Sequence, residues 1–136
     1  MKDTRMTSSF TLIQRLAVLA LGLFCVALPA APEKTRQLLT AGREPVRIVC
    51  IGDSITGVYY HSGGLRAYPE MLEIALHKAY PQAQVTVRNA GISGDTTKGA
   101  LARLDRDVIA HKPHLVTVMF GMNDLVGTPL AVFQKN

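Results

Sequence analysis

Residues 46–51, Val-Arg-Ile-Val-Cys-Ile, form a short β-branched run that ends on Gly52-Asp53, and no other feature narrows the fold of this chain as much. A run of this length bounded by a turn suits a strand buried on both faces, because such strands read as nearly continuous apolar stretches. The turn carries Ser54 out of the end of that strand, where a nucleophile is presented. A serine hydroxyl is a poor nucleophile until a base takes its proton, and the oxyanion it creates needs donors aimed at the developing charge. A serine-hydrolase reading therefore depends on finding a histidine, an orienting carboxylate and oxyanion donors elsewhere in the chain.

Downstream, the hydrophobic pattern switches between helix-like and strand-like stretches. Pro69 is placed to open a helix at its first turn, and Met71, Leu72, Ala75, Leu76 and Ala79 recur at helical spacing until Tyr80-Pro81 stops it. Residues 84–88 alternate as a second strand. After a Gly-rich loop at 89–95, Thr96 or Thr97 is placed to cap a helix in which Leu101, Leu104, Val108 and Ile109 share one face, and Pro113 ends it. Residues 114–120 read as a third strand, with Gly121-Met122-Asn123-Asp124 as the loop at its carboxyl end. Strand, helix, strand, helix, strand with short connections implies right-handed crossovers and a parallel sheet with helices on its faces, which is the α/β class. Ligands bind such sheets beyond the carboxyl ends of the strands, and each polar, Gly-rich motif here follows a strand. Three strands are few for a doubly wound domain, so the third is expected as an edge or half-covered strand of the front part of a larger domain.

The start of the chain reads differently. Lys2, Arg5 and Arg15 precede residues 16–28, thirteen uncharged and almost wholly apolar residues, and Pro29-Ala30-Ala31-Pro32 follows with small side chains. That order is expected of a secretory signal peptide at 1–31. As a helix the stretch spans about 20 Å, short of a bilayer core of about 30 Å, so no stable membrane span is expected after cleavage and an uncleaved anchor is the weaker reading. Residues 32–45 are expected as a linker and 46–136 as the N-terminal part of a hydrolase domain. From Pro32 onward, twelve Lys or Arg stand against nine Asp or Glu, a net charge of +3 with the basic residues scattered. No basic run or aromatic-interleaved stripe tracks a phosphate backbone, so nucleic acid is not an expected partner. Cys50 is the one cysteine beyond residue 31, which rules out a disulfide within that part. No His, Cys or carboxylate cluster has metal-ligand spacing, and no cofactor is expected.

Three motifs in order, Gly52-Asp53-Ser54, Asn89-Ala90-Gly91-Ile92-Ser93-Gly94-Asp95-Thr96 and Gly121-Met122-Asn123-Asp124, resemble those of the GDSL, or SGNH, hydrolases, a family of esterases and lipases. The resemblance covers residues 46–126. It implies a three-layer α/β/α, flavodoxin-like parallel sheet of which the C-terminal strands and helix are not in this sequence. It also implies that Ser54 is the nucleophile, and that the backbone N–H groups of Ser54 and Gly94 and the side-chain amide of Asn123 form the oxyanion hole. The family's base and its carboxylate come from an Asp-x-x-His motif near the carboxyl terminus, which these 136 residues do not contain. An inactive fragment is therefore expected as the chain stands. Ser93-Gly94-Asp95-Thr96 followed by Ala102-Arg103-Leu104 is most similar to the lysophospholipase, thioesterase and arylesterase branch, with carbohydrate deacetylation close behind. The implied substrates are small-molecule, lipid or carbohydrate esters.

Each of these residues also has a plainer reading. Ser54 is able to cap a helix, Gly94 and Gly121 to serve as turn glycines, and Asn123 to close a strand-end turn. Asp53 is expected to brace its turn. Of the four histidines, His77 and His111 are expected to face solvent, and His114 opens the third strand on the side opposite the loops. His61, in Tyr59-Tyr60-His61-Ser62-Gly63-Gly64, falls near enough to line the pocket, with substrate contact favoured over catalysis. A dinucleotide fingerprint fails, because Ser54 replaces its middle glycine and Asn89 stands where a carboxylate is wanted. The Gly-x-Ser-x-Gly elbow fails at Thr56. A non-catalytic module that binds glycans or acyl groups, or a decayed enzyme, is the alternative from another class.

Overall fold

The computed structural model of the protein describes residues 33–58 and 60–136. The expected signal peptide at 1–31 lies outside them. Three strands, β1 (Val46–Gly52), β2 (Val85–Gly91) and β3 (Leu115–Met119), form a parallel sheet in the order β2-β1-β3. The helices are α1 (Glu33–Ala41), α2 (Tyr68–Ala79), α3 (Thr97–Asp107) and the short α4 (Leu130–Phe133), with 3₁₀ turns at Ile109–His111 and Asp124–Val126. Among the described residues no helix is long and apolar enough to cross a membrane.

β1 is the centre of the molecule, as its composition demands. Val46, Ile48, Val49, Cys50 and Ile51 are all at most 2% exposed. Because side chains alternate across a strand, Val46, Ile48 and Cys50 point to one face, where they meet Leu39 of α1, Leu72 and Leu76 of α2, and Tyr80. Val49 and Ile51 point to the other, against Ala90, Ala100, Leu104 and Val108. Helices thus cover both faces, giving the expected α/β/α layering. β2 follows β1 on one side, whereas β3 lies on the other, so the chain crosses over β1 between β2 and β3. That reversal opens a crevice at the carboxyl ends of β1 and β3, the place where sheets of this topology take ligands.

Several local expectations are corrected. The stretch 32–45 read as a linker carries α1, whose Thr35 Oγ1 donates to the His114 carbonyl at 3.0 Å and whose Leu39 is buried. The helix escapes a periodicity search because it is short and mostly polar, with two inward residues. β2 runs on through Asn89, Ala90 and Gly91, which pair with Cys50, Ile51 and Gly52, so the Gly-rich loop begins at Ile92. Gly91 is needed there because a Cβ would run into the backbone of Thr56 and Gly57. On α2 only Leu72 and Leu76 of the expected apolar set pack inward, while Met71 is 52% exposed. On α3 the inward row is Ala100, Arg103, Leu104 and then Val108, with Leu101 turned out to solvent. The helix ends at Asp107, so Ile109 falls in the 3₁₀ turn and faces outward. β3 is the expected half-covered edge, with Val118 71% exposed.

Because Ile48 is 2% exposed and packed between α1 and α2, Ile48→Ala should destabilise the fold by about 2–5 kcal/mol, the usual cost of a buried cavity of that size. Denaturant unfolding monitored by circular dichroism checks this, and a cost below about 1 kcal/mol would mean that the face is not tightly packed.

Candidate active site

The site is built from the three turns that follow the strands. Behind β1, Asp53 is 2% exposed and braces its own turn as expected: Oδ1 accepts the Ile55 N–H at 2.9 Å, and its carbonyl accepts those of Thr56 and Gly57 at 3.2 and 3.0 Å. This fixes the backbone on either side of Ser54. Thr56 is also held by Asn89, whose Nδ2 donates to the Thr56 carbonyl and to Glu70 Oε1, both at 2.9 Å. Glu70 in turn accepts the Ala67 N–H through Oε2 at 2.9 Å, which satisfies one of the free donors at the start of α2.

The second turn carries Gly94, whose φ of +76° lies in the left-handed region that glycine enters at no steric cost. The torsion is what calls for glycine, as expected of a turn glycine, since a Cβ there would meet nothing within 4 Å. Asp95 beside it is a junction. Its Oδ1 accepts the Thr96 N–H at 2.9 Å, its Oδ2 accepts Arg103 Nε at 2.8 Å, and its carbonyl accepts Asn123 Nδ2 at 2.8 Å. Thr96 is the helix cap, with its hydroxyl accepting the Gly99 N–H at 3.3 Å.

The third turn is tied down by Asp124, 3% exposed, which accepts the Thr97 hydroxyl at 2.6 Å and the Thr97 N–H at 3.2 Å. Asn123 is thereby held next to Asp95, with one of its two amide hydrogens spent on the Asp95 carbonyl and the other given to no partner among the described residues. The N–H groups of Ser54 and Gly94 are likewise not given to any backbone carbonyl among the described residues.

Arg103 links these turns from beneath. Its side chain is 7% exposed, and besides Asp95 it donates to the carbonyls of Gly52 at 3.1 Å and Ala90 at 2.7 Å and to Asp107 Oδ2 at 3.1 Å. One guanidinium fork thus holds the last residue of β1, the end of β2 and the loop beside Gly94. The first turn is joined to its neighbours by the Ile92 N–H on the Gly52 carbonyl at 3.0 Å and the Asp53 N–H on the Met119 carbonyl at 3.3 Å. Sequence reasoning did not find this role. Arg103 and Asp107 stand four residues apart, which is a visible helical ion-pair signal, but nothing local reveals the strand-end carbonyls.

The histidines separate cleanly. His114 accepts the Arg47 N–H on Nδ1 at 3.0 Å, at the amino end of β3 and away from the turns. His77 is exposed on α2, and His111 sits half-exposed in its 3₁₀ turn. His61 alone reaches the site: its Nε2 lies 3.1 Å from Ser54 Oγ, and the Tyr60 ring meets it edge-on with centroids 4.8 Å apart.

The model of the GDSL-like lipase/acylhydrolase family matches residues 50–136, which include all three turns. The chain belongs to that family. GDSL-like relatives include the acetylxylan esterase of Geobacillus stearothermophilus, 39% identical over 58% of this chain and 40% of that protein, and the arylesterase of Vibrio mimicus, 36% identical over 73% and 48%. A solved two-domain esterase active on acetylated mannans superimposes with a TM-score of 0.63 at 31% identity, over 74% of this chain and 26% of that one. The chain therefore spans less than half the length of these two curated GDSL-like relatives. Its open parallel sheet with helices matches that of solved SGNH hydrolases.

Two consequences of the Arg103 junction are measurable. Arg103→Met should cost about 3–5 kcal/mol in denaturant unfolding, because two partly buried carboxylates, Asp95 and Asp107, lose a partner and two strand-end carbonyls lose a donor; a cost under about 1 kcal/mol would show the junction to be dispensable. Asp107 is held well below the usual carboxylate range, chiefly by the hydrogen bond from Arg106 and further by Arg103, against the opposing effect of burial. Its folded-state pKa is lower than the unfolded value of about 3.9, so its contribution to stability is complete above that value and is lost as pH falls below it. Thermal melts of the wild type and Asp107→Asn should accordingly differ above about pH 5 and converge towards about pH 2.

Proposed function

We propose that this chain carries the nucleophile half of an exported serine esterase, cleaving acyl esters or thioesters through an acyl-enzyme on Ser54. The observation that carries the reading is the junction at Asp95: the Asn123 amide is fixed at 2.8 Å on the carbonyl next to Gly94, with a second N–H to spare, while Arg103 ties the same loop to the end of the strand that delivers Ser54.

In this mechanism Ser54 Oγ attacks the ester carbonyl carbon, and the carbonyl oxygen becomes an oxyanion that accepts the N–H groups of Ser54 and Gly94 and the free hydrogen of Asn123 Nδ2. An Asn amide suits that place because it donates without titrating. Collapse breaks the acyl–oxygen bond and releases the alcohol with a proton, and water then cleaves the acyl-enzyme to return Ser54. In the whole protein an Asp-x-x-His pair of the family type provides the base. Acetylated sugars are the first substrates to try, since an acetylxylan esterase and an esterase active on acetylated mannans are among the relatives. Aryl acetates come next, after the arylesterase. The order of basic, apolar and small residues before residue 33 supports export.

Turnover of p-nitrophenyl acetate by the whole protein tests the assignment. Ser54→Ala should abolish it, and Asn123→Ala should lower kcat by about 100 to 1,000-fold with little change in KM, the cost of one oxyanion donor. A loss under about threefold at Asn123 would remove it from the oxyanion hole.

A further inference from the structure

Ser54 already has a nitrogen base at hydrogen-bond distance. His61 Nε2 lies 3.1 Å from Ser54 Oγ, within the reach a general base needs. The two residues are seven apart, and a described turn lies at each of them. Asp53 fixes the turn at Ser54 through Ile55, Thr56 and Gly57. On the far side, Ser62 Oγ donates to the Leu65 carbonyl at 2.8 Å and the Leu65 N–H returns to the Ser62 carbonyl at 3.0 Å, closing a tight turn directly after His61. Gly63 and Gly64 at φ +58° and +82° make that turn possible. The Tyr60 ring against the imidazole edge narrows the positions it can take. His61 is exposed, so water and substrate reach it.

We infer that His61 is a further catalytic residue, which makes Ser54 reactive towards acylating agents within residues 33–136 alone. The inference rests on Ser54 being the nucleophile, and it replaces the expectation of an inert chain with that of a chain competent for the first half of the reaction. As Oγ bonds to the electrophilic carbon or phosphorus, its proton passes to the lone pair of Nε2. An alkoxide leaving group departs with its bonding electrons and takes that proton, whereas fluoride departs as the anion and the proton passes from Nε2 to water; either route returns His61 to neutrality. Among the described residues no carboxylate hydrogen-bonds to His61, and the imidazolium formed during the step lacks the stabilisation a triad gives it. Acylation is therefore slow compared with that of a complete triad, and water attack on the acyl-enzyme slower still.

The test is labelling of the 136-residue chain with an alkyl fluorophosphonate, which forms an O–P bond on Ser54 and releases fluoride, followed by intact mass and peptide mapping. The wild type should label at Ser54, His61→Ala should label about 100-fold more slowly, and added imidazole should restore part of the rate to His61→Ala while leaving Ser54→Ala unlabelled. His61→Gln, which keeps a polar side chain without a proton acceptor of this kind, should be as slow as His61→Ala. Circular dichroism melts of the variants should match the wild type, since an exposed side chain is changed. Equal labelling of Ser54 in the wild type and His61→Ala overturns the role of His61 and leaves the nucleophile in place. Label on another residue, or none, overturns the nucleophile assignment together with it.

Discussion

The guanidinium of Arg103 is the interaction on which the rest of the site depends. Parallel strands end in carbonyl groups that point out of the sheet, and at the ends of β1 and β2 these are sealed from water. Arg103 satisfies the Gly52 and Ala90 carbonyls with donors from one rigid fork and neutralises its own charge on Asp95 and Asp107. A lysine has the charge but not the fork, and would leave at least one of these groups unpaired. Burying a charge is costly unless every donor is used, and here the partners are the backbone groups from which the nucleophile turn and the Gly94 loop begin. The ion pair and the geometry of the site are in this sense one structure.

A second, outer ring holds the same turns from above the sheet. Glu70 at the start of α2 reaches Asn89, which reaches Thr56, and Asp124 after β3 reaches Thr97 at the start of α3. The first chain runs from a helix start through Asn89 of β2 to the Ser54 turn, and the second joins the Asn123 turn directly to a helix start, so the turns are tied to regular elements. The paired members of such a network restrain one another, although the buried Thr56 Oγ1 has no hydrogen-bond partner among the described residues.

Much of this was legible in the sequence, and what escaped did so for identifiable reasons. β1 could be read because its burial on both faces writes itself as an unbroken apolar run, and the three turns could be read because Gly, Asp and Asn cluster only at the strand ends. α1 was hidden by its polarity. The inward face of α3 was misplaced because an arginine occupies a core position: a pattern search counts Arg103 as surface and moves the stripe to Leu101, which the structure turns to solvent. The glycine at position 94 could be read as a turn glycine, and its left-handed torsion agrees with that. His61 was the hardest to place, because its distance from Ser54 depends on a pair of left-handed glycines that act after it in the chain.

The outer edge of β3 has a different importance. Val118 and Met119 are 71% and 42% exposed, and on that side no described strand pairs with β3. An open parallel edge is a template for any strand of matching polarity, whether supplied by the same polypeptide or by a neighbour. The turn bearing Asn123 follows directly from the end of that strand, so the open edge and the candidate site are neighbours in the chain.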